Sequence, residues 1–256
     1  MHIDEDKHDR QKRVTGWNQE KITTAKVCVV GAGALGNEVV KNLLQLGVGK
    51  ITIIDYDTIV KANLNRCVLF TEADAEKGVL KAEALRTRAK EFNKNAIVTP
   101  VIENVEKLDD TFFADFDVVF GCLDNLGARL HTNANTYGKV PFIDGGTTGF
   151  FGKVQVVSSP SACIECPMSK QDYGILWRKY SCVGEMLDVL DPKMPALPTT
   201  TSIVSAVQVN EFLKIIHGNA FQSQTLVGKY WAYNGLTGES KTYSLTKRSN
   251  CPVHIE

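Results

Sequence analysis

Short apolar runs alternate with longer stretches of helical periodicity along most of the chain. Lys26 to Val30 reads as a first strand, and Gly31 to Gly36 turns the chain into a helix running through about Leu46. Lys50 to Asp55 is a second strand. Residues 73 to 93, rich in Ala, Glu, Lys and Leu, read as a helix. Ala96 to Ile102, Asp117 to Cys122 and Val140 to Asp144 follow as strands, with helical material near 125 to 138. Strands alternating with helices predict an α/β fold with a parallel, doubly wound sheet.

The rhythm changes after about residue 145. Gly152 to Val157 is a strand after a Gly-rich turn, and the stretch holding Pro167, Pro192, Pro195 and Pro198 is irregular. Thr199 to His217 is a helix that Thr199 to Ser202 can cap. Ile203, Val204, Val207, Phe212 and Ile216 spread around its circumference, which predicts a buried helix. Two terminal strands are expected near 229–234 and 240–246, giving one domain with a small antiparallel C-terminal extension. Residues 4 to 21 are charged and read as a solvated N-terminal arm.

Composition narrows the function classes. Lys and Arg number 29 against 29 Asp and Glu in 256 residues, so no charge excess argues for a nucleic-acid or membrane-surface partner. No apolar run approaches a spanning helix, and Met1 to Asp6 does not begin a signal peptide, so a cytoplasmic protein is expected. Seven cysteines, an odd number, favour metal ligands, buried thiols or a reactive thiol over a disulfide framework.

Gly31-x-Gly33-x-x-Gly36 lies between a strand and a helix, where a glycine turn and the free N–H groups of a helix start can receive phosphate. Asp55 ends the next strand, placed to accept from ribose hydroxyls. This much fits NAD, FAD or ATP alike. Arg66 and Lys81 add two cations, and Asp124 adds a carboxylate at a strand end that could hold Mg²⁺ or cap the following helix. Two cations, a metal carboxylate and a glycine turn suit a triphosphate. An NAD-dependent oxidoreductase needs none of the additions.

The run GAGALG, IDYD, NLNR, GVLK, CLDN with Arg129, GGTTGFFGKV, CIEC, LPTTTS and CPVH resembles the adenylating domain of the ubiquitin-activating enzyme superfamily. That superfamily includes the activators of the molybdopterin-synthase and thiamine sulfur carriers. The resemblance spans about Arg10 to His254 and implies a Rossmann-like adenylation domain acting as a homodimer. It divides the chain into an arm (1–24), a nucleotide-binding core (25–160), a crossover segment (167–198) and a C-terminal part (199–256). It implies an ATP site of Gly31, Gly33, Gly36, Asp55, Asp57, Asn63, Arg66, Lys81, Asp124, Asn125 and Arg129, with Asp124 positioning Mg²⁺. Arg10 resembles the arginine that such enzymes send into the partner subunit's site. Cys67 departs from the family's usual Gln. The implied substrate is a ubiquitin-like protein ending in Gly-Gly, whose carboxylate attacks the α-phosphorus to give an acyl-adenylate, with a conjugating enzyme as a possible later partner. A sulfur-carrier adenylyltransferase, a tRNA-modifying relative and a non-enzymatic half of a heterodimer are the rivals.

Cys163-x-x-Cys166 and Cys251-x-x-His254 form two half-sites for a tetrahedral Cys₃His zinc site that would pin the C-terminus. A redox Cys-x-x-Cys is the alternative. The superfamily usually has a cysteine where His254 stands. Cys182 falls in the segment that carries the thioester-forming cysteine in the superfamily, and Arg178 and Lys179 could lower its pKa. Its alternative role is a passive lid residue. Cys28 and Cys122 are expected to be buried, His131 and His217 to be ordinary helix residues, and Trp17, Trp177 and Trp231 to pack in the core or a lid.

Overall fold

The structure is a computed structural model and describes residues 6–169, 171–173, 195–218, 221 and 224–254. Its strands are β1 (Lys26–Val30), β2 (Lys50–Ile54), β3 (Ile97–Val101), β4 (Val118–Gly121), β5 (Phe142–Thr148), β6 (Phe151–Val157), β7 (Lys229–Asn234) and β8 (Glu239–Ser244). They form one eight-stranded sheet in the order β3-β2-β1-β4-β5-β6-β7-β8. The first five positions pair in parallel, and β6, β7 and β8 add antiparallel strands. The helices are α1 (Asp9–Lys12), α2 (Gln19–Thr24), α3 (Ala34–Leu46), α4 (Glu72–Glu76), α5 (Lys81–Phe92), α6 (Asp110–Phe113), α7 (Leu126–Thr136) and α8 (Pro198–His217).

A parallel sheet must be covered on both faces, and β1 shows how this chain does it. Val27 and Val29 share one core with Val39, Leu43 and Phe212, whereas Cys28 and Val30 share another with Phe113, Ala128 and Phe142. In α3, Leu35, Val39, Val40, Leu43 and Leu44 recur at helical spacing, and all are buried. The helix stops at Gly47, whose φ of 93° puts it in the left-handed region and lets its N–H donate to the carbonyls of Leu43 and Leu44.

Four features differ from the sequence pattern. The helix expected over 73–93 is two helices, because Gly78 takes φ 61° and breaks it. Lys81 N then donates to Asp57 O at 2.9 Å, tying the start of α5 to the segment that follows β2. The second difference is the fifth strand, which runs on to Thr148 through Gly145 and Gly146. These glycines leave room for other side chains: a Cβ at 145 would lie 2.5 Å from Gln208, and one at 146 would lie 2.9 Å from Arg129.

The third difference is α8, which is not buried all round. Its inner face carries Thr200, Val204, Gln208, Glu211 and Phe212, and Ile203 is exposed. Gln208 Nε2 donates to Gly121 O and Ile143 O, so a polar residue joins α8 to the sheet. Thr201 and Ser202 do not cap the helix; their hydroxyls donate back to Leu197 O and Pro198 O. The fourth difference is the N-terminal arm, which holds two short helices that dock on the end of α3. Gln11 Nε2 and Gln19 Nε2 each donate to Leu46 O at 2.9 Å. Trp17 packs against the core, and its ring lies 4.8 Å from that of His217.

Candidate active site and metal centre

The strand order reverses between β1 and β4, and the carboxyl ends of those strands open into a cavity of about 750 Å³. Open α/β sheets bind ligands at that place. Gly31, at φ 96°, leaves β1; a Cβ there would lie 2.5 Å from Cys122 O. Gly36 packs on the turn behind it, with a Cβ position 2.0 Å from Gly31 O, and does not line the cavity. Gly33 faces open space and begins α3 with no side-chain cap, which leaves the first helical N–H groups for a ligand.

Asp55 follows β2 and braces this turn. Its Oδ2 accepts from Ala32 N at 2.7 Å and its Oδ1 from Asp57 N at 2.8 Å. Burial raises its pKa, against the opposing pull of Lys81 and the two backbone donors. Lys81 Nζ lies 2.6 Å from Asp57 Oδ2. Burial alone would push the Lys81 ammonium down, but Asp55, Asp57 and Asp124 outweigh it and hold its pKa above the ordinary value.

Asn63 and Arg66 line the same cavity wall. Asn63 Oδ1 accepts from Val60 N, which shapes the turn, and Arg66 Nη1 donates to Ala62 O and Asn65 Oδ1. Asp124 is exposed at the cavity edge. The cap of α7 is not Asp124 but Asn125, whose Oδ1 accepts from Ala128 N at 2.8 Å. The Asp124 carboxylate is thus left at the cavity, a donor type that suits Mg²⁺. Arg129 directs its donors to Leu123 O, Gly145 O and Asp144 Oδ2, so its guanidinium braces the cavity floor.

The structure therefore gathers Gly31, Gly33, Asp55, Asp57, Asn63, Arg66, Lys81, Asp124, Asn125 and Arg129 around one cavity. Arg10 is not among its lining residues: it lies in α1, docked at the other end of α3. Cys182, with Trp177, Arg178 and Lys179, lies outside the described residues. Cys28 and Cys122 are buried, and burial pushes both thiols up. Cys67 is also buried in the core, and burial pushes its thiol up to about 11.

The sequence pattern does not mark three residues at the cavity. Tyr56 lines the mouth and Lys153 the far wall, and buried Asp144 carries Arg129 from below. Lys153 sits inside a motif run, but strand alternation does not reveal that it faces a cavity rather than bulk solvent.

Away from the cavity, Cys163, Cys166, Cys251 and His254 bring one donor atom each within 4.8 Å of one another. A tetrahedral zinc ion with bonds of about 2.3 Å to sulfur spaces its sulfurs about 3.8 Å apart. Here Cys163 Sγ lies 3.6 Å from Cys251 Sγ and 3.9 Å from Cys166 Sγ, and Cys166 Sγ lies 3.8 Å from His254 Nδ1. The donor set and spacing fit zinc and are too wide for a disulfide. Backbone N–H groups of Cys163 and Arg248 donate to Cys166 Sγ, and Tyr137 stacks on His254 with centroids 4.4 Å apart. Four protein ligands leave no open position, so an ion held here has a structural role. Among the described residues, no helix is long and apolar enough to cross a membrane.

The sequence matches the ThiF family over residues 8–253. It is 38% identical to SUMO-activating enzyme subunit 2 of Dictyostelium discoideum over 151 residues, covering 57% of this chain and 22% of that protein. It is 35% identical to the Nedd8-activating enzyme E1 catalytic subunit of Drosophila melanogaster over 161 residues, covering 57% and 35%. The chain thus matches well under half the length of these relatives. In fold it is similar to Escherichia coli MccB crystallised with ATP, with a TM-score of 0.74 at 22% identity over 92% of this chain and 68% of that one. The MccB structure with AMPCPP and MccA gives a TM-score of 0.78 at 20% identity over 98% and 75%.

Proposed function

The chain belongs to the ThiF family, and from that premise we propose that it adenylates the C-terminal carboxylate of a ubiquitin-like protein ending in Gly-Gly. The observation that carries this reading is the single cavity shared by the glycine turn, Asp55, Arg66, Lys81 and Asp124. Asp55 accepts from the ribose hydroxyls of ATP, the start of α3 and the cations Arg66 and Lys81 receive the phosphates, and Asp124 would hold Mg²⁺. The metal would supply further positive charge at the phosphates. The substrate carboxylate is ionised near neutral pH, since its ordinary pKa is about 3.5, so no general base is required. The residues instead relieve repulsion between two anions and align the carboxylate oxygen with the α-phosphorus. A carboxylate–phosphorus bond forms, the bond to pyrophosphate breaks, and an acyl-adenylate remains.

In this reading the protein works as one adenylation domain in a homodimer, with Arg10 of each copy serving the partner's cavity. Cys182 then attacks the acyl-adenylate, releasing AMP and forming a thioester that a conjugating enzyme could collect. The test is intact mass without reductant after mixing the chain with Mg-ATP and small proteins ending in Gly-Gly, beside Cys182→Ala. A reductant-sensitive adduct that needs ATP and vanishes in the variant is the expected result. Acyl-adenylate without adduct in either protein selects the sulfur-carrier alternative, and no ATP consumption with any partner sinks both.

A further inference from the structure

Two cationic corners stand at opposite ends of the cavity. Lys81 and Arg66 flank the β2 side, where Asp55, Asp57 and Asp124 balance them. Arg129 and Lys153 flank the β6 side. The second corner converges over β5, and in the strand order β2 and β5 are three steps apart, about 14 Å across the sheet at ordinary strand spacing. The glycine turn and α3 lie on the β2 side of the cavity's middle, since β1 adjoins β2.

The β6 corner is built around a missing side chain. Gly146 pairs with Lys153 across β5 and β6. A Cβ on Gly146 would lie 2.9 Å from one guanidinium nitrogen of Arg129 and 3.2 Å from Cε of Lys153, so both cationic side chains converge above this glycine. One carboxylate, Asp144, serves the two. Its Oδ2 lies 3.1 Å from Arg129 Nη1, and its buried Oδ1 has no hydrogen-bond partner among the described residues. Arg129 spends its donors on Leu123 O, Gly145 O and Asp144. Lys153 has no ion pair or hydrogen bond among the described residues, yet its side chain reaches solvent through the cavity. Lys153 is exposed to the cavity, yet the protein around its ammonium strips enough water to push its pKa down; Asp144 holds it up, and the neighbouring Arg129 pushes it further down. A second anion near this pair would relieve the like-charge crowding.

We infer that Lys153 is the receptor for the incoming C-terminal carboxylate, holding the acyl substrate at the β6 end of the cavity while ATP occupies the β2 end. This rests on the adenylation reading, which requires two anions to enter one cavity. Lys153 makes an ionic contact and takes no proton; the bonds made and broken are those of the adenylation itself.

The test uses N-acetylglycylglycine and its C-terminal amide as probes. Their binding to the full chain is followed by NMR titration with and without a non-hydrolysable ATP analogue, whose own affinity is measured separately. The acid is expected to bind about tenfold more tightly than the amide. Lys153→Met should erase that ratio, Lys153→Arg should restore most of it, and nucleotide affinity should stay within about twofold in both. An unchanged acid-to-amide ratio in Lys153→Met overturns the assignment. So does a loss of nucleotide affinity with the ratio intact, which would place Lys153 in the phosphate site. A wild-type chain that binds no nucleotide defeats the adenylation reading, while the ratio measured without nucleotide still decides Lys153.

Discussion

Gly33 and Gly36 stand in the same turn, yet an added methyl meets different surroundings at each. At Gly36 it would lie 2.0 Å from the carbonyl oxygen of Gly31, which is backbone and cannot rotate away. Gly36→Ala should cost about 3 kcal/mol of stability in urea unfolding. At Gly33 nothing lies within 4 Å, so Gly33→Ala should keep stability within about 0.5 kcal/mol. It should nevertheless weaken ATP binding about tenfold, because the methyl occupies space the phosphates need. Equal stability losses in the two variants would refute this division. Asp55 allows a pH test. Its folded pKa is raised above 3.8 mainly by burial, so the folded chain holds that proton more tightly than the unfolded chain. Stability from this group is present below pH 3.8 and falls as pH rises through the raised pKa. Unfolding measured across that window should show a component that disappears in Asp55→Asn; superimposable slopes would exclude it. The glycine turn was legible in the sequence from its spacing, but Gly36, expected in the ATP site, packs on the turn and does not line the cavity. Lys153 and Asp144 were not legible, because their importance comes from what lies opposite Gly146, which one strand's pattern does not contain.

Elements that bury one face against the sheet were legible, and the exceptions have local causes. The break between α4 and α5 depends on a left-handed Gly78 with nothing within 4 Å of a Cβ position. Gly78→Ala therefore meets no clash but carries the backbone penalty, about 1 kcal/mol, readable as a lower urea midpoint. For α8 the apolar pattern misled because the sheet-facing position is Gln208, whose value lies in two strand-end carbonyls distant in sequence. The two half-sites of the Cys₃His cluster were legible because each is a tight local spacing that one turn can close. Their meeting depends on where the chain returns after β8, and the fold brings Cys251 Sγ to 3.6 Å from Cys163 Sγ. Purified chain should carry about one zinc ion, and a strong chelator should lower the thermal midpoint by on the order of 10 °C. Cys251→Ser should do the same, whereas His254→Ala should lower it less, since three thiolates remain. Metal-free protein with an unchanged midpoint would return the cluster to a set of buried thiols.

At the scale of the whole molecule, the arm bears on how many copies make one site. Sequence pattern presents it as a solvated segment because its apolar anchors, Trp17 and Ile22, are isolated, and the bonds of Gln11 and Gln19 to a carbonyl at the end of α3 are polar, which hydrophobic periodicity does not register. The glycine turn opens α3 at its other end, and a helix of this span is about 20 Å long, so docking holds Arg10 away from its own cavity. This placement is consistent with the proposal that Arg10 serves a neighbouring copy. Mixed subunits decide the matter. Arg10→Ala and Lys81→Met are each expected to lose most adenylation activity alone. In a heterodimer of the two, one cavity keeps Lys81 from its own chain and receives Arg10 from the other. Random re-association of equal amounts makes about half the dimers mixed, each with one complete cavity, so activity should recover to about a quarter of the wild-type level. If Arg10 acted within its own chain, no cavity in the mixture would hold both residues, and the recovery would be absent at every mixing ratio.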